Sequence, residues 1–451
     1  MISNEHYDAI IIGAGLTGLT AAFYLTKKGK KVKVIEKQPF VGGVIQTHRK
    51  DGFIFESGPN TGVLSNPEAA ELMEDLNGAC ELEIANESAK RRWVWKKDDW
   101  HELPSGLMKG VKTPLFSWKD KFRIIGEPVR KPGKNPDETL DELVKRRMGK
   151  SFLNYAVDPF ILGIYAGDPS YLVPRHALPK LYNLEQNYGS FIGGAVKKGR
   201  EPKSERDKKA TKDVFSVKGG LSNLTAALNE AIGRENVVLG NHLLSVSKDT
   251  ESYQVQYDAE KVTAENVIFT GGSHGMRGVF DFLDNEEVER IDNLLYAKVV
   301  QVALGFKNWK GRELNAFGGL VPFIENRDVL GVLLPSAFLE NRAPVGGALL
   351  SVFLGGFRKP EIIEKSDDEI MAMVEKEIQT MMKLPDFDPD IVEIFRYQHA
   401  IPQYGISSAE RFAMIEKVQQ ENPGLLLAGN MRDGIGMADR IKQGRNVAEG
   451  L

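Results

Sequence analysis

The chain of 451 residues has a single cysteine, Cys80, which excludes an internal disulfide and any zinc or iron–sulfur site built on several thiolates. It also lacks a run of ~20 apolar residues, so no segment reads as a bilayer-spanning helix. Charge of one sign is missing too: 59 Lys and Arg face 62 Asp and Glu, giving a formal net charge of −3 without the basic excess of a nucleic-acid-binding protein. The 7 histidines show no metal-ligand spacing; His101, His176 and His399 read as surface or hydrogen-bonded side chains, and no metal is expected. The opening residues MISNEHYD are polar and lead into a strand, so no secretory leader or Arg-rich presequence is read there, and the expectation is a bacterial cytoplasmic protein.

What the chain does have is length for two or three domains and an informative start. Ala9 to Ile12 reads as a buried strand, Gly13-Ala14-Gly15-Leu16-Thr17-Gly18 as a G-x-G-x-x-G turn, Leu16 to Lys28 as a helix and Lys31 to Ile35 as a second strand ending on Glu36. Gly13 permits the tight turn, Gly15 lets main chain approach a pyrophosphate, and Gly18 lets helix and strand touch. The helix N-terminus offers free N–H groups to the anion, and Glu36 stands where a carboxylate would accept from a ribose diol. Strand, turn, helix, strand and acid in this order predict a dinucleotide site.

A plain NAD domain would run on into another helix. Here Glu36-Lys37 leads instead into QPFVGGVIQT, with Gly42 and Gly43 paired directly after the acid, and then into FIFESGPNT with Gly58, Pro59, Asn60 and Thr61. This pattern resembles the flavoprotein family that contains amine oxidases, phytoene desaturases and protoporphyrinogen oxidases, and the resemblance implies FAD. No cysteine lies beyond Cys80, so a flavin tethered through a C-terminal cysteine, as in some amine oxidases, is not available.

The remaining strands of the dinucleotide domain are expected late in the chain, at Asn236 to Val246, Lys261 to Thr270 and Gly424 to Ala428. NVIFTGG and GLLLAGN both run apolar strands into glycine, the form of a parallel strand whose C-terminal end meets a cofactor. A helix opening near Gly436-Met437-Ala438 would aim its amides at the flavin N1 and O2 region. Between these pieces, Trp93 to about Phe191 has helical patterning, Val196 to Lys212 is a basic loop expected to be exposed and mobile, and Ser366 to Met382 is a long helix.

Within the flavoprotein family the chain resembles the protoporphyrinogen oxidases. DPFILGIYAGDPSYL at 158–172 is similar to their signature region; ESGPNT at 56–61, LPSGL at 103–107, FSVKGGL at 215–221, GLVP at 319–322 and QHAIPQY at 398–404 follow in the same order. The resemblance implies an α/β (α+β composite) fold: a Rossmann-like FAD-binding domain of the amine-oxidase type at 1–87, 225–289 and 401–451, a mixed-sheet substrate domain at 88–92, 193–224 and 290–400, and a helical, membrane-binding insertion at 93–192. It implies oxidation of a porphyrinogen to the porphyrin in haem synthesis, with six electrons passing through FAD to O2 and giving H2O2. Protoporphyrinogen IX leads and coproporphyrinogen III is the close variant. Amine oxidase or carotenoid desaturase activity, or a non-catalytic FAD-binding assembly protein, stay open.

Carried over residue by residue, the resemblance assigns Arg92 to a substrate propionate, with Arg91 as its register rival. It assigns Leu320 and Leu333 to the two faces of one pyrrole, Phe353 to a stack on another, the Gly163 carbonyl to a pyrrole N–H and Asn60 to the reacting carbon beside the flavin. Gly429, Asn430, Gly436, Met437, Ala438 and Val237 join the N-terminal glycines as cofactor contacts. It leaves room for a homodimer and for hand-off of product to the next haem-pathway enzyme. Lys298 departs from the pattern: amine oxidases place a lysine there near flavin N5, so it either points away from the ring or modulates reoxidation. No general base is visible, and Asp158 and Asp168, each before a proline, read as caps or turns. Trp93, Trp95, Trp100 and Trp118, with Leu107, Met108 and Phe116, are read as core or as contacts of a peripheral membrane surface.

Overall fold

A computed structural model describes residues 5–104, 107–242, 244–250 and 252–451. Ser105 and Gly106 of LPSGL lie outside the described residues, as do the side chains of Leu107 and Met108. Two seven-stranded sheets organise the chain. In the first, Val237–Val238, Val32–Ile35, His6–Ile12, Glu260–Phe269 and Leu425–Leu427 run parallel. The long strand Glu260–Phe269 serves two partners: its end pairs with Leu425–Leu427, while its start pairs antiparallel with Tyr253–Tyr257, which continues to Leu244–Lys248. The apolar runs of these strands are buried on both faces, as a sheet covered by helices requires. The strands expected at Lys31 to Ile35, Lys261 to Thr270 and Gly424 to Ala428 form within a residue or two; Asn236 to Val246 is split between Val237–Val238 and the start of Leu244–Lys248, at opposite edges of the sheet.

The second sheet runs in the order Ile391–Pro402, Tyr296–Phe306, Ala348–Gly355, Val329–Leu333, Gly318–Leu320, Arg92–Lys96, Asp99–Glu102. One pair, Gly318–Leu320 with Arg92–Lys96, is parallel; the rest are antiparallel. Side chains alternate across it. Val300, Val302, Leu304, Leu350, Val352, Trp93 and Trp95 face the helix Asp367–Met382, and together they make a dry core. That helix forms where the sequence placed it, with the Ser366 hydroxyl accepting the Glu369 N–H at 3.3 Å and the Glu369 carboxylate accepting the Ser366 N–H at 3.0 Å.

Two expectations are corrected, and for three tryptophans the reading left open between core and lipid is decided. The insertion does not open at Trp93, because the hairpin Arg92–Glu102 belongs to the second sheet; helices begin after it. Trp93, Trp95 and Trp100 are 9%, 1% and 6% exposed and pack on one another, and the Trp100 indole N–H bonds the Met381 carbonyl at 3.0 Å, so they are core and offer nothing to lipid. The basic segment is not a free loop: it carries the short helix Glu205–Lys208, and Arg206 pairs with Glu68 and Glu71 of the helix Pro67–Asp75 while Lys209 pairs with Glu74.

Candidate functional site

The turn Gly13–Gly18 follows the strand His6–Ile12 and caps the helix Leu16–Lys27. Gly13 has φ +105°, which an L side chain rarely adopts. A Cβ on Gly18 would stand 2.0 Å from the Gly13 carbonyl oxygen, so helix and strand touch only because the side chain is absent. Gly15 is different: a Cβ there meets nothing within 4 Å, and the first turn of the helix has no acidic residue and no side-chain cap. Open space above uncapped helix amides fits a pyrophosphate.

The Glu36 carboxylate is 8% exposed and accepts the Ala14 N–H at 2.7 Å and the Gln38 N–H at 2.8 Å. It thus fixes the glycine turn, and each oxygen keeps lone-pair capacity for a diol. Lys37 points into solvent. The second glycine pair crosses the first turn: the Gly42 N–H donates to the Ala14 carbonyl at 2.8 Å, and a Cβ on Gly43 would lie 3.6 Å from the Gly15 Cα. Val237 pairs with Val34 at the sheet edge beside Glu36. Gly429 sits against the Thr270 carbonyl, and Asn430 accepts from the Tyr296 hydroxyl at 3.2 Å. Gly436 precedes the helix Met437–Glu449, and its N–H goes to Asp439 at 3.3 Å. The C-terminal ends of the parallel strands therefore gather the turns at Gly13–Gly18, Gly42–Gly43 and Gly429. The crossing of this last helix over Leu16–Lys27, made at Gly444 where a Cβ would lie 2.5 Å from the Thr17 carbonyl, had no such sequence signal.

The second sheet turns its other face to this region. Directly paired residues share a face. Arg92, Gly318, Leu333 and Ser351 form one row across four strands, and Val94, Leu320, Gly331, Phe353 and Gln301 form the next. Arg92, Leu320, Leu333 and Phe353 are all half-buried, whereas their neighbours Val332 and Val352 on the opposite face are sealed. The helix Asp158–Tyr165 covers the row: a Cβ on Gly163 would meet Leu320 Cδ2 at 2.5 Å. Gly163 is also among the last carbonyls of that helix, which have no intrahelical partner.

Asn60 is 5% exposed; its amide N–H donates to the Gly58 carbonyl at 3.2 Å, and its Oδ1 accepts from the Ser351 hydroxyl at 2.9 Å. Gln301, 1% exposed, accepts the Gly58 N–H and donates to the Glu56 carbonyl, both at 2.8 Å. Ser351 and Gln301 pin the ESGPNT turn to the sheet, and sequence reading missed both because their roles exist only once strands far apart in sequence are paired. Pro59 and Thr61 flank Asn60 on the same turn.

Among the described residues the Arg92 side chain has no hydrogen bond and no ion pair. Its guanidinium lies 5.1 Å from the Phe317 ring, and burial lowers its pKa with no acid to oppose it. Arg91 is exposed. At the far end of the face the cations are already spent: Arg358 holds Asp158 at 2.7 Å and Asp168 at 3.0 Å. Burial raises the Asp158 carboxyl; burial also works against ionised Asp168, but hydrogen bonds from Arg358 and Ser170 win and hold it low. Both aspartates are structural, and Arg358, absent from the sequence reading, is the reason. Lys298 lies on the opposite face from Val299 and Gln301, with its ammonium 3.9 Å from Glu364.

A glycine cradle along the ends of a parallel sheet, an acid after the second strand and a half-buried cleft on a second sheet define a dinucleotide-dependent oxidoreductase of the flavoprotein class. The family model described as flavin containing amine oxidoreductase matches residues 16–451. The chain is 30% identical to protoporphyrinogen oxidase 1, chloroplastic, of Arabidopsis thaliana, over 95% of this chain and 85% of that one. It is 28% identical to the coproporphyrinogen III oxidase of Bacillus subtilis (strain 168), over 98% and 97%. A solved structure from Exiguobacterium sp. 255-15 matches with a TM-score of 0.82 at 22% identity, covering 100% of this chain and 99% of that one. Putrescine oxidase bound to putrescine matches at 0.69 and 15% identity, covering 99% of each. The chain belongs to the flavin-containing amine oxidoreductases, and its cofactor is a flavin.

Proposed function

We propose that the chain binds FAD without a cysteine tether and oxidises a porphyrinogen macrocycle, with O2 as acceptor. FAD, when bound, supplies the electron-accepting ring that the side chains lack. The observation that carries the reading is Arg92, a half-buried guanidinium with no acid partner among the described residues, on the same sheet face as Leu320, Leu333 and Phe353. An apolar disk with a carboxylate on its rim matches that face, and the planar fork of arginine suits the carboxylate.

The side chains then have definite tasks. Leu320, Leu333 and Phe353 hold the macrocycle flat and exclude water; the free Gly163 carbonyl accepts a pyrrole N–H. Ser351 and Gly58 fix the Asn60 amide so that one N–H remains to donate into the cleft. Arg358 removes Asp158 and Asp168 from proton transfer. The proposed cofactor segments are 1–87, 225–289 and 401–451, with the glycine, Glu36, Val237, Asn430 and Met437–Ala438 positions as contacts.

Anaerobic mixing of the FAD-loaded protein with protoporphyrinogen IX, coproporphyrinogen III, amines and polyenes tests the reading. Bleaching of the flavin by a porphyrinogen, followed by porphyrin fluorescence, is expected. Bleaching by an amine or a polyene alone overturns it, and FAD binding with no reduction by any of them turns the protein into a non-catalytic one.

A second observation favours peripheral attachment to the cytoplasmic face of a membrane. Among the described residues no helix is long and apolar enough to cross one. The helix Trp118–Ile125 and the turn after it expose Trp118, Phe122, Ile125 and Val129 by 63%, 69%, 66% and 88%, on one stripe flanked by Lys119 and Lys121. Flotation with anionic liposomes, lost in Trp118→Ser/Phe122→Ser, is the expected result; full recovery of the unaltered protein in the soluble fraction sinks the attachment.

A further inference from the structure

Four arginines are buried to 9% exposure or less: Arg147, Arg342, Arg411 and Arg440. A guanidinium taken out of water costs several kcal/mol unless an anion answers it. Two are answered. Arg147 is clamped between Glu127 and Glu185, and Arg342 holds Glu83 at 2.8 Å. The other two have no carboxylate, and both are tied to the segment that follows the strand Leu425–Leu427. Arg440 donates to the Gly429 carbonyl, to the Arg432 carbonyl at 2.8 Å and to Gln443 Oε1 at 2.8 Å, and its Nε is buried with no partner at all. Arg411 reaches the Met431 carbonyl at 3.3 Å and the Asn293 carbonyl at 3.4 Å, donates to the Ser408 hydroxyl at 2.8 Å and lies against the rings of Tyr404 and Phe412.

The acids of the neighbourhood bond other groups and act on Arg440 only through space. Asp433 accepts from Gln443 at 2.8 Å and from Arg432 at 3.2 Å; Asp439 takes the Gly436 N–H and the Asn66 amide. Tyr404 joins the two arginines, donating to the Asn430 and Gly434 carbonyls, and burial keeps its phenol protonated. Two buried guanidinia therefore hold the segment 429–434 without an ion pair: Arg440 is offset in part by the Asp433 and Asp439 charges nearby, and Arg411 has only tyrosines around it. Burial works to lower both arginines, yet a guanidinium does not give up its proton in a protein. Uncompensated buried charge persists where a bound anion completes it, and positive charge fixed in a low-dielectric site acts on whatever charge develops beside it.

We propose that Arg411 and Arg440 are positioning residues that set the potential of the flavin: they hold the Gly429–Gly434 segment and bias the bound ring toward its reduced, anionic form. This rests on the FAD reading above. Two electrons and one proton convert the oxidised ring to that form, a gain of one negative charge, so a fixed cation binds the reduced state more tightly than the oxidised one. Neither residue needs to touch substrate.

The midpoint potential of the bound flavin, measured by dye equilibration together with the dissociation constant of oxidised FAD, tests it. In the unaltered protein the bound flavin should lie above free FAD in potential; a value below free FAD overturns the proposal without any variant. Arg440→Met and Arg411→Met should each weaken reduced relative to oxidised binding about tenfold, roughly 30 mV for a two-electron couple. Arg440→Lys and Arg411→Lys, which keep the charge but not the hydrogen-bond fork, should stay near the unaltered protein in potential even where they melt earlier. Equal shifts in the Lys and Met variants, or equal loss of affinity for both redox states, would leave only a structural role and refute the idea. Failure to bind FAD at all would instead remove the cofactor reading, and a raised potential without porphyrinogen turnover would remove only the substrate reading.

Discussion

The glycine cradle proposed for the cofactor and the cleft proposed for the substrate meet at the ESGPNT turn but are made of different material. The cradle is main chain: it is a set of places where a Cβ is absent, with Glu36 bonding backbone amides. The cleft is side chain: two rows on a sheet face, one unpaired guanidinium, and pins supplied by Gln301 and Ser351. A main-chain site fails all at once when a side chain is added. A side-chain site degrades by the worth of the group removed.

Gly18→Ala should give the largest effect. Its Cβ would fall 2.0 Å from the Gly13 carbonyl oxygen and 3.2 Å from the Gly13 carbonyl carbon, and main chain cannot rotate away as a side-chain tip can. A loss of about 3 kcal/mol or more, with no flavin carried through purification, is expected from thermal melts and absorbance. Gly15→Ala separates the cradle from the fold. Gly15 already has φ −74° and an added Cβ meets no protein atom, so the melt of the flavin-free protein should hold within about 0.5 kcal/mol while flavin affinity falls. Equal damage to the melt by both variants would contradict a ligand-facing Gly15.

This contrast also explains what the sequence disclosed. Gly13, Gly18, Gly42 and Glu36 were legible because a backbone conformation or a main-chain contact allows few residue types, and those types stand close together in the chain. The long helix at Asp367–Met382 was legible through its Ser366 cap and apolar spacing. The fate of the tryptophans was not: Trp95 and Trp118 are the same residue type in similarly apolar company, and only strand pairing puts the first under the helix Asp367–Met382 and leaves the second exposed. Gln301, Ser351 and Arg358 act through partners between 190 and 291 residues away, a relation that local pattern does not carry.

On the cleft side, Arg92→Met should raise KM by roughly ten- to a hundredfold, the worth of one charge-assisted hydrogen bond of about 1.5–3 kcal/mol, with little change in kcat. Because the Arg92 side chain has only the Phe317 ring beside it and no hydrogen bond or ion pair among the described residues, the melt should fall by no more than about 1 kcal/mol; a larger loss would show that the guanidinium supports the fold rather than awaiting a ligand. Arg92→Lys should recover only part, since the ammonium lacks the fork.

A smaller effect is expected at the junction. Glu56 is buried, and burial raises its carboxyl despite hydrogen bonds from the Leu221 N–H at 2.9 Å and the Thr47 hydroxyl at 2.7 Å. With the folded-state value above the unfolded one, the folded protein holds its proton longer. The contribution of this group is full below the unfolded carboxylate range and is lost as pH rises through the raised value. Glu56→Gln should therefore flatten that part of the stability profile above the ordinary carboxylate range and leave the strongly acid end unchanged. A profile that keeps its slope would place the pH dependence elsewhere.

Lys298 is expected to matter least, and it sharpens the comparison because amine oxidases place a lysine in the cleft at this point of the chain. Here the residue falls on the even side of the strand Tyr296–Phe306, where Val300 and Val302 face the helical layer, while Val299 and Gln301 face the cleft. Its side chain is 39% exposed and its ammonium lies 3.9 Å from an exposed Glu364, a contact worth at most about 1 kcal/mol. A lysine reaching for the flavin would have to pass through the sheet. Lys298→Met should leave anaerobic flavin reduction and reoxidation by O2 unchanged within about twofold, a span of roughly 0.4 kcal/mol in barrier. A drop in reoxidation alone would mean that the side chain reaches the cleft after all, and that the face assignment from which Arg92, Leu320 and Phe353 take their roles must be revised with it.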